Sequence, residues 1–372
     1  MIASRIAALM RAFQDKRVAA KLGSALHSEG GESGRAPKIF YGVERVPGFG
    51  EKTHGGLVKA QSMQERFPNA FPDADILYLI SSALPRGVET LIRLAKERGL
   101  RVVLNQNGVA YPSWHGPGWE DTNTALGRVL HSADYVIYQS EFCKMAADQF
   151  LGTFTGEQLV LYNPVETDRY EPTASIGSLD PLRLLVSGSH GQAYRVEQAL
   201  RTTAELIRRG RSVELMVAGR FSWASSQEDG EEQVRHWLRD LNLEHAVHLH
   251  GVYAQSEAAE LFRSADMLLH TKYNDACPRL VVEALASGLP VVYSSSGGTP
   301  ELVGDGAGVG VSAPLDWDAQ HPPDPILLAD GVETVLSDYE SYRSNAVSRA
   351  RERFGMEAWL DQHELIFQAV CK

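Results

Sequence analysis

The sequence predicts an α/β protein built as two doubly wound domains facing across a ligand cleft. Short runs rich in β-branched and aromatic residues alternate with helical segments, the signature of parallel strands joined by crossover helices. The pattern closes at an Asn-Pro turn near residue 163 and then begins afresh. At 372 residues the chain also exceeds what one core usually holds. These features divide it into an extension over 1–36, a first domain over 37–165 plus 355–372, and a second over 166–354.

After a Gly/Ser-rich break, KIFYGV (38–43) is the first buried strand. The loop ERVPGFGEKTHGG leads from it into the helix LVKAQSMQERF, and Gly55 and Gly56 at that turn would let backbone approach a ligand. The strands DILYLIS (75–81), RVVLNQN (101–107) and DYVIYQS (134–140) follow. RVVLNQN opens onto GVAYPSWHGPGW, a loop carrying His115 at a strand's carboxyl end, where site residues gather. A strand over 158–162 and the connector NPVETDRYEP close the first half.

The second half starts with LRLLVSG (182–188) and the loop SHGQAY, followed by the helix RVEQALRTTAELIRRG. VELMVAG (213–219), VHLHG and DMLLH are its next strands. They lead to HTKYNDACPRLVVEALASGLPVVYSSSGGTPELV, which reads as loop, helix, strand, Gly-Gly turn and short helix. The tail from about 324 is helical, and its last segment is long enough to pack back on the first domain.

Composition limits the function. Lys plus Arg total 36 against 47 for Asp plus Glu, a net charge of −11, which argues against nonspecific nucleic-acid binding. Three widely spaced cysteines suit a reducing cytoplasm better than a disulfide framework. No apolar run approaches the roughly 20 residues that span a bilayer. At the N-terminus Ile2, Ile6, Leu9, Met10 and Phe13 share one helical face beside Arg5, Arg11, Lys16, Arg17 and Lys21. This helix either meets a membrane surface or partner, peripheral to the inner face of the membrane, or packs on the first domain; the spacing favours packing.

Asp275 and Glu283 are the sharpest pair of candidates. Glu283 lies among Val281, Val282, Ala284 and Leu285, where a carboxylate is costly to bury without a partner. A carboxylate at such a place often accepts hydrogen bonds from ribose. Asp275 fits a ligand role or a turn or N-cap role equally. Backbone amides of Gly297, Gly298 and Thr299 could hold phosphate or sugar oxygens, while Glu301 fits substrate contact or the dipole of its helix. Arg195, Arg220, Lys272 and Arg279 supply positive charge, and Arg195 and Arg279 stand at helix N-termini, where a cation does not serve the dipole. Asp73-Ala74-Asp75 resembles a metal motif but precedes its strand, and His248 and His250 have no further ligand to complete a zinc set.

Residues from Lys38 onward, above all NDACPRLVVEALASGLPVVYSSSGGTPELVGDGAGVGV, resemble the retaining glycosyltransferases of family 4. They match the acidic-x7-Glu motif and the Gly-Gly-x-Pro-Glu loop. HSADYVIYQSEFCKMAADQF and LVLYNPVETDRYEP resemble the segments ending the first domain. The resemblance implies the GT-B fold: two Rossmann-like domains, with the last helix crossing back to the first. It implies transfer of a sugar from a nucleoside-diphosphate donor, a UDP- or GDP-sugar, to a sugar, lipid-linked or small-molecule acceptor hydroxyl, with no metal or other cofactor. The setting would be polysaccharide, glycolipid or glycoconjugate biosynthesis.

By the same resemblance Glu283 binds the ribose and Asp275 contacts the donor sugar. Gly297, Gly298 and Thr299, with Gly55, Gly56 and Gly188, border the sugar and diphosphate, and Arg195, helped by Arg279 or Lys272, meets charge on the leaving group. Three departures stand out. Asp275 is one methylene shorter than the family's usual Glu. Gly188-Ser189-His190 and then Tyr194-Arg195 replace the usual Gly-Arg and Lys-Gly. Gln106 or Asn107 stands where a His is common, leaving His115 as the candidate substitute. A nucleotide-sugar epimerase, which would form product without acceptor, and a non-catalytic nucleotide-sugar binder are the alternatives.

Overall fold

The computed structural model describes residues 2–28, 35–48, 51, 55–174 and 177–372; the side chains of residues 2–13 lie outside that description. The chain forms two compact units, one running to Leu161 and resuming at Glu357, the other Tyr162–Met356.

The first unit begins with α1 (Ile2–Ala25) and continues through β1 (Ile39–Phe40), α2 (Gly55–Met63), β2 (Ile76–Ile80), α3 (Val88–Glu97) and β3 (Arg101–Gln106). The short α4 (Pro112–His115), α5 (Trp119–Leu130), β4 (Tyr135–Tyr138), α6 (Glu141–Phe150) and β5 (Glu157–Val160) complete its continuous part. The strands are parallel in the order β1-β2-β3-β4-β5. All five residues of β2 are buried, as an unbroken apolar run requires when both faces of a parallel sheet are covered.

The second half of α1 packs on α3, with Ala19 and Leu22 buried, and Leu26 just beyond the helix is buried too. A Cβ at Gly23 would stand 2.6 Å from Leu94 Cδ1, so the two elements meet closely. The face formed by Ile2, Ile6, Leu9, Met10 and Phe13 falls outside the described side chains.

The second unit holds β6 (Leu182–His190), α7 (Tyr194–Arg208), β7 (Val213–Phe221), α8 (Gln227–Asp240), β8 (Val247–Gly251), α9 (Ala258–Arg263) and β9 (Met267–His270). Then come α10 (Arg279–Ala286), β10 (Val291–Ser295), α11 (Thr299–Val303), β11 (Gly308–Ser312), α12 (Pro325–Ser337) and α13 (Tyr339–Phe354). Its parallel sheet has the order β11-β10-β9-β6-β7-β8, so the strand order reverses between β6 and β9. Leu184, Val186, Leu215, Val217, Met267 and Leu269 form the core with α7 and α12. The sequence pattern does not announce β11, whose GVGVS is glycine-rich. The strand forms because a Cβ at Gly308 would lie 2.1 Å from Val291 O, so only glycine lets it pair with β10 at that point.

The last helix, α14 (Met356–Val370), belongs to the first unit from Glu357 onward. Phe367 meets Phe67 and Tyr78 edge-on, with ring centroids 5.1 and 5.8 Å away. A buried polar chain adds direction. Lys59 Nζ and Gln139 Nε2 donate to Asn105 Oδ1 at 3.0 and 2.7 Å, and Asn105 Nδ2 donates to the Tyr78 hydroxyl at 3.0 Å. That hydroxyl lies 3.0 Å from His363 Nε2, while His363 Nδ1 faces Trp359 O at 2.9 Å. Burial lowers the His363 pKa to about 3, so the ring is neutral. The network assigns its proton to Nδ1, leaving Nε2 to accept from Tyr78. Tyr78→Phe strands two buried polar groups and is expected to cost on the order of 1–3 kcal/mol in urea denaturation.

Candidate active site

Ligands of open α/β sheets bind where the strand order reverses, at the carboxyl ends of the strands. In the second unit that point lies between β6 and β9. Near the end of β6, Gly188 has φ +112° and its neighbour on β7, Gly219, has φ +116°. A Cβ on Gly219 would be 2.0 Å from Gly188 O, so both strand ends can curl together only as glycines.

Arg195, on the first turn of α7, turns its guanidinium under this strand end and is 3% exposed. Nη1 donates to Ser189 O at 2.6 Å and Nη2 to Ser187 O at 3.4 Å. His190 faces the core instead, against Phe221 and Trp223, with Nε2 donating to Ala218 O at 3.0 Å. Burial, with Arg195 nearby, lowers its pKa to about 3, so it is neutral.

From β9 the chain delivers His270, Lys272 and Asp275. Lys272 Nζ donates to Asp275 Oδ1 at 2.9 Å, and buried His270 places Nε2 3.3 Å from Oδ2. Burial alone would raise the Asp275 carboxyl, but Lys272, His270 and Arg195 together hold it well below the usual carboxylate range. The capping alternative for Asp275 falls away, because Pro278 is the N-cap residue of α10 and has no side-chain cap bond. What fixes Asp275 is the glycine turn. Gly298 N donates to Asp275 O at 2.8 Å, and a Cβ at Gly297, φ +66°, would lie 2.4 Å from that same oxygen. Asn274, at φ 50°, donates its backbone N–H to Ser296 Oγ at 2.8 Å, binding the two loops a second time.

Glu283 is buried on α10, and Arg279 one turn earlier donates Nε to its Oε1 at 3.0 Å. Burial raises the Glu283 carboxyl above its ordinary value even though Arg279 and the adjoining Tyr170 hydroxyl favour the ionised form. Tyr253, whose hydroxyl meets Ser187 Oγ at 2.8 Å, feels the same carboxylate. The two acidic groups are thus held differently: Asp275 ionised by surrounding cations, Glu283 under strain from desolvation.

The other candidates land as follows. Thr299 is buried, and its hydroxyl has no partner among the described residues. Glu301 accepts from the Tyr162 hydroxyl at 3.2 Å. Arg220 is exposed at the end of β7. In the first unit Gly55 and Gly56 open α2, where a Cβ at Gly56 would lie 2.5 Å from Ala83 Cβ. His115 is exposed on α4, its Nε2 3.1 Å from Thr122 Oγ1, nine residues past the end of β3. At the end of β3 itself, Gln106 Nε2 donates to Asn107 O at 2.8 Å. Asp73 pairs with His27, and Asp75 accepts from Arg35 and the Lys38 amide, so both serve the fold. His270, Tyr170 and Ser187 escaped the sequence reading. Only His270 left a trace there, as a polar residue ending an apolar strand.

Residues 174–353 match the family described as glycosyl transferases group 1. That match covers just under half of the chain and lies within the second unit. Among relatives, the chain is 29% identical over 199 residues to a D-inositol 3-phosphate glycosyltransferase of Corynebacterium aurimucosum, covering 51% of this chain and 44% of that one. It is 20% identical to the phosphatidylinositol N-acetylglucosaminyltransferase gpi3 subunit of Schizosaccharomyces pombe, over 67% of this chain and 52% of that one. The matches to these relatives therefore span about half of their length or less. Among solved structures, Anabaena Alr3699/HepE in complex with UDP and glucose superposes with a TM-score of 0.64 at 19% identity, covering 80% of this chain and 78% of that one. The sucrose-phosphate synthase of Thermosynechococcus elongatus gives 0.64 at 16% identity, with 84% and 76% covered. At these identities the likeness bears on fold, and it is the GT-B fold of two Rossmann-like units that this chain shares.

Proposed function

We propose that this chain is a retaining, metal-independent glycosyltransferase that moves a sugar from a nucleoside-diphosphate donor to an acceptor hydroxyl, in polysaccharide, glycolipid or glycoconjugate biosynthesis. One observation carries the reading: two carboxylates, Asp275 and Glu283, each paired with a cation, stand at the reversal of strand order in the second unit. Glu283 is suited to ribose hydroxyls, which would satisfy a carboxylate that burial leaves under-solvated. Asp275 is suited to the hydroxyls of the donor sugar. Lys272 and Arg279, each about a fifth exposed, have the solvent access needed to meet a diphosphate, while Arg195 supports the Gly188 strand end from beneath. Fixed cations of this kind stabilise charge developing on a leaving diphosphate. The names of the relatives and the UDP bound to Anabaena Alr3699/HepE support a nucleotide-sugar donor, with UDP-sugars tried first. The acceptor would be a sugar, a lipid-linked saccharide or a small molecule. Among the described residues no helix is long and apolar enough to cross a membrane, and we place the enzyme in the cytoplasm, with α1 as the candidate surface contact.

A thermal-shift screen against UDP-, GDP-, ADP- and dTDP-sugars identifies the donor, since a ligand at about 100 times its Kd adds about 2.7 kcal/mol. With donor and acceptor in hand, the product's anomeric configuration is expected to equal the donor's by NMR, and the rate to survive EDTA. An inverted product or loss of rate in EDTA overturns the mechanism. Product formed without acceptor would indicate an epimerase.

A further inference from the structure

At the amino-terminal edge of the second sheet, away from the strand ends that carry Asp275 and Glu283, lies a cavity of about 270 Å³. Arg183 at the start of β6, Arg263 at the end of α9 and Arg343 on α13 line it, with Asp266, Tyr339 and the Gly288 turn that ends α10. Three guanidiniums thus face one carboxylate, in a chain whose overall charge is −11.

The pairing inside the cavity is uneven. Arg183 and Asp266 neutralise each other through two bonds, Nη2 to Oδ1 at 2.6 Å and Nε to Oδ2 at 3.0 Å. Arg263 and Arg343 have no carboxylate partner among the described residues. Arg263 Nη1 donates only to Arg169 O at 3.3 Å. Arg343 Nη2 donates to Thr173 O at 2.6 Å and Thr173 Oγ1 at 3.2 Å. Most of the N–H donors of both guanidiniums therefore remain open to a ligand. Carbonyls at the ends of α9 and α10 offset part of this charge, but a short helix carries only about half a unit at its terminus. Two full charges exceed that.

We propose that this cavity binds a small anion bearing a phosphate group, held between Arg263 and Arg343. Arginine suits the role because its planar donors meet phosphate oxygens two at a time. The recessed shape and the mix of guanidinium and tyrosine walls fit a phosphorylated metabolite rather than an extended polymer. The site is separate from any diphosphate site at the carboxyl ends, so the proposal stands whether or not the glycosyltransferase reading does.

The test is calorimetric titration of the full chain with inorganic phosphate and with glycerol 3-phosphate, against chloride at equal ionic strength. Both are expected to bind, and Arg263→Gln and Arg343→Gln each to weaken them about tenfold or more. Melting curves without phosphate show whether each variant is folded; where Arg343→Gln is not, Arg263→Gln carries the comparison, since its single long bond holds little of the fold. A selenate soak of crystals reads the position directly, with anomalous density expected between the two guanidiniums. Phosphate affinity unchanged in the folded variants, or selenate found only at the carboxyl ends of the strands, overturns the proposal.

Discussion

Glu283→Gln is expected to raise the melting temperature of the protein while weakening nucleotide-sugar binding roughly tenfold or more. The two effects share one cause. Burial raises the folded-state pKa of Glu283 above its unfolded value, which is about 4.3 for a free glutamate. Such a group favours folding below the unfolded pKa, and that contribution is lost as pH rises through the folded pKa. Desolvation thus opposes the ionised form of this carboxylate, and a neutral amide of the same shape relieves that cost. Glu283→Ala goes further, removing the acceptor oxygens that would face a ribose and leaving Arg279 without its partner. It is expected to abolish measurable donor binding, a loss of about 1.5–3 kcal/mol or more for hydrogen bonds to a charged group. Calorimetry with the donor found by screening, beside a melting curve, decides the matter. If both variants bind every nucleotide sugar as the parent does, Glu283 is only a helix residue and the donor assignment fails.

Gly297→Ala should be the most damaging single-methyl change in the site. Its Cβ would stand 2.4 Å from Asp275 O, 2.6 Å from Asp275 N and 2.7 Å from Asn274 C, all backbone atoms that no rotamer can move aside. The φ of +66° adds the cost of a left-handed conformation to a residue with a side chain. We expect a loss on the order of 2–3 kcal/mol, concentrated in the loops at 274–275 and 296–298. The kinetic signature is specific: kcat should fall more than the binding of nucleotide diphosphate, because the turn that shifts carries Asp275 and not Glu283. Hydrogen exchange at 274–275 and 296–298 would show the local loosening. A variant with parental kcat and stability would mean that the glycine turn does not set the position of Asp275.

The carboxylates also differ in sign with pH. Asp275 has a depressed pKa, so its contribution to stability is complete above the unfolded value of about 3.9 and is lost as pH falls toward the folded one. Acid therefore weakens the Asp275 cluster while relieving Glu283.

Much of this was legible in the sequence. Unbroken apolar runs such as ILYLI and VVYS can be satisfied only by burial on both sheet faces, so strands and fold class followed from local pattern. Glu283 stood out for a similar reason, as one charge inside an apolar helical run has few innocent explanations. Other features gave no local sign. β11 exists because Gly308 fits against Val291 O, a pairing between residues far apart in the chain. His115, placed in a loop rich in aromatics, proved exposed and bonded to Thr122, and nothing in its neighbours foretold that.

The sequence by itself determined the alternation of strands and helices, the restart at mid-chain and the position of both acidic residues, because periodicity and solvation act over a few residues. Only the tertiary structure decided what those residues touch. It brought Lys272 and His270 onto Asp275, turned Arg195 under the Gly188 strand end, and seated Gly297 against the Asp275 backbone. It also gathered Arg183, Arg263 and Arg343 from three elements around one cavity. Such juxtapositions depend on strand order and close approach, which chain separation conceals. The charge state of a carboxylate depends in turn on which neighbours arrive.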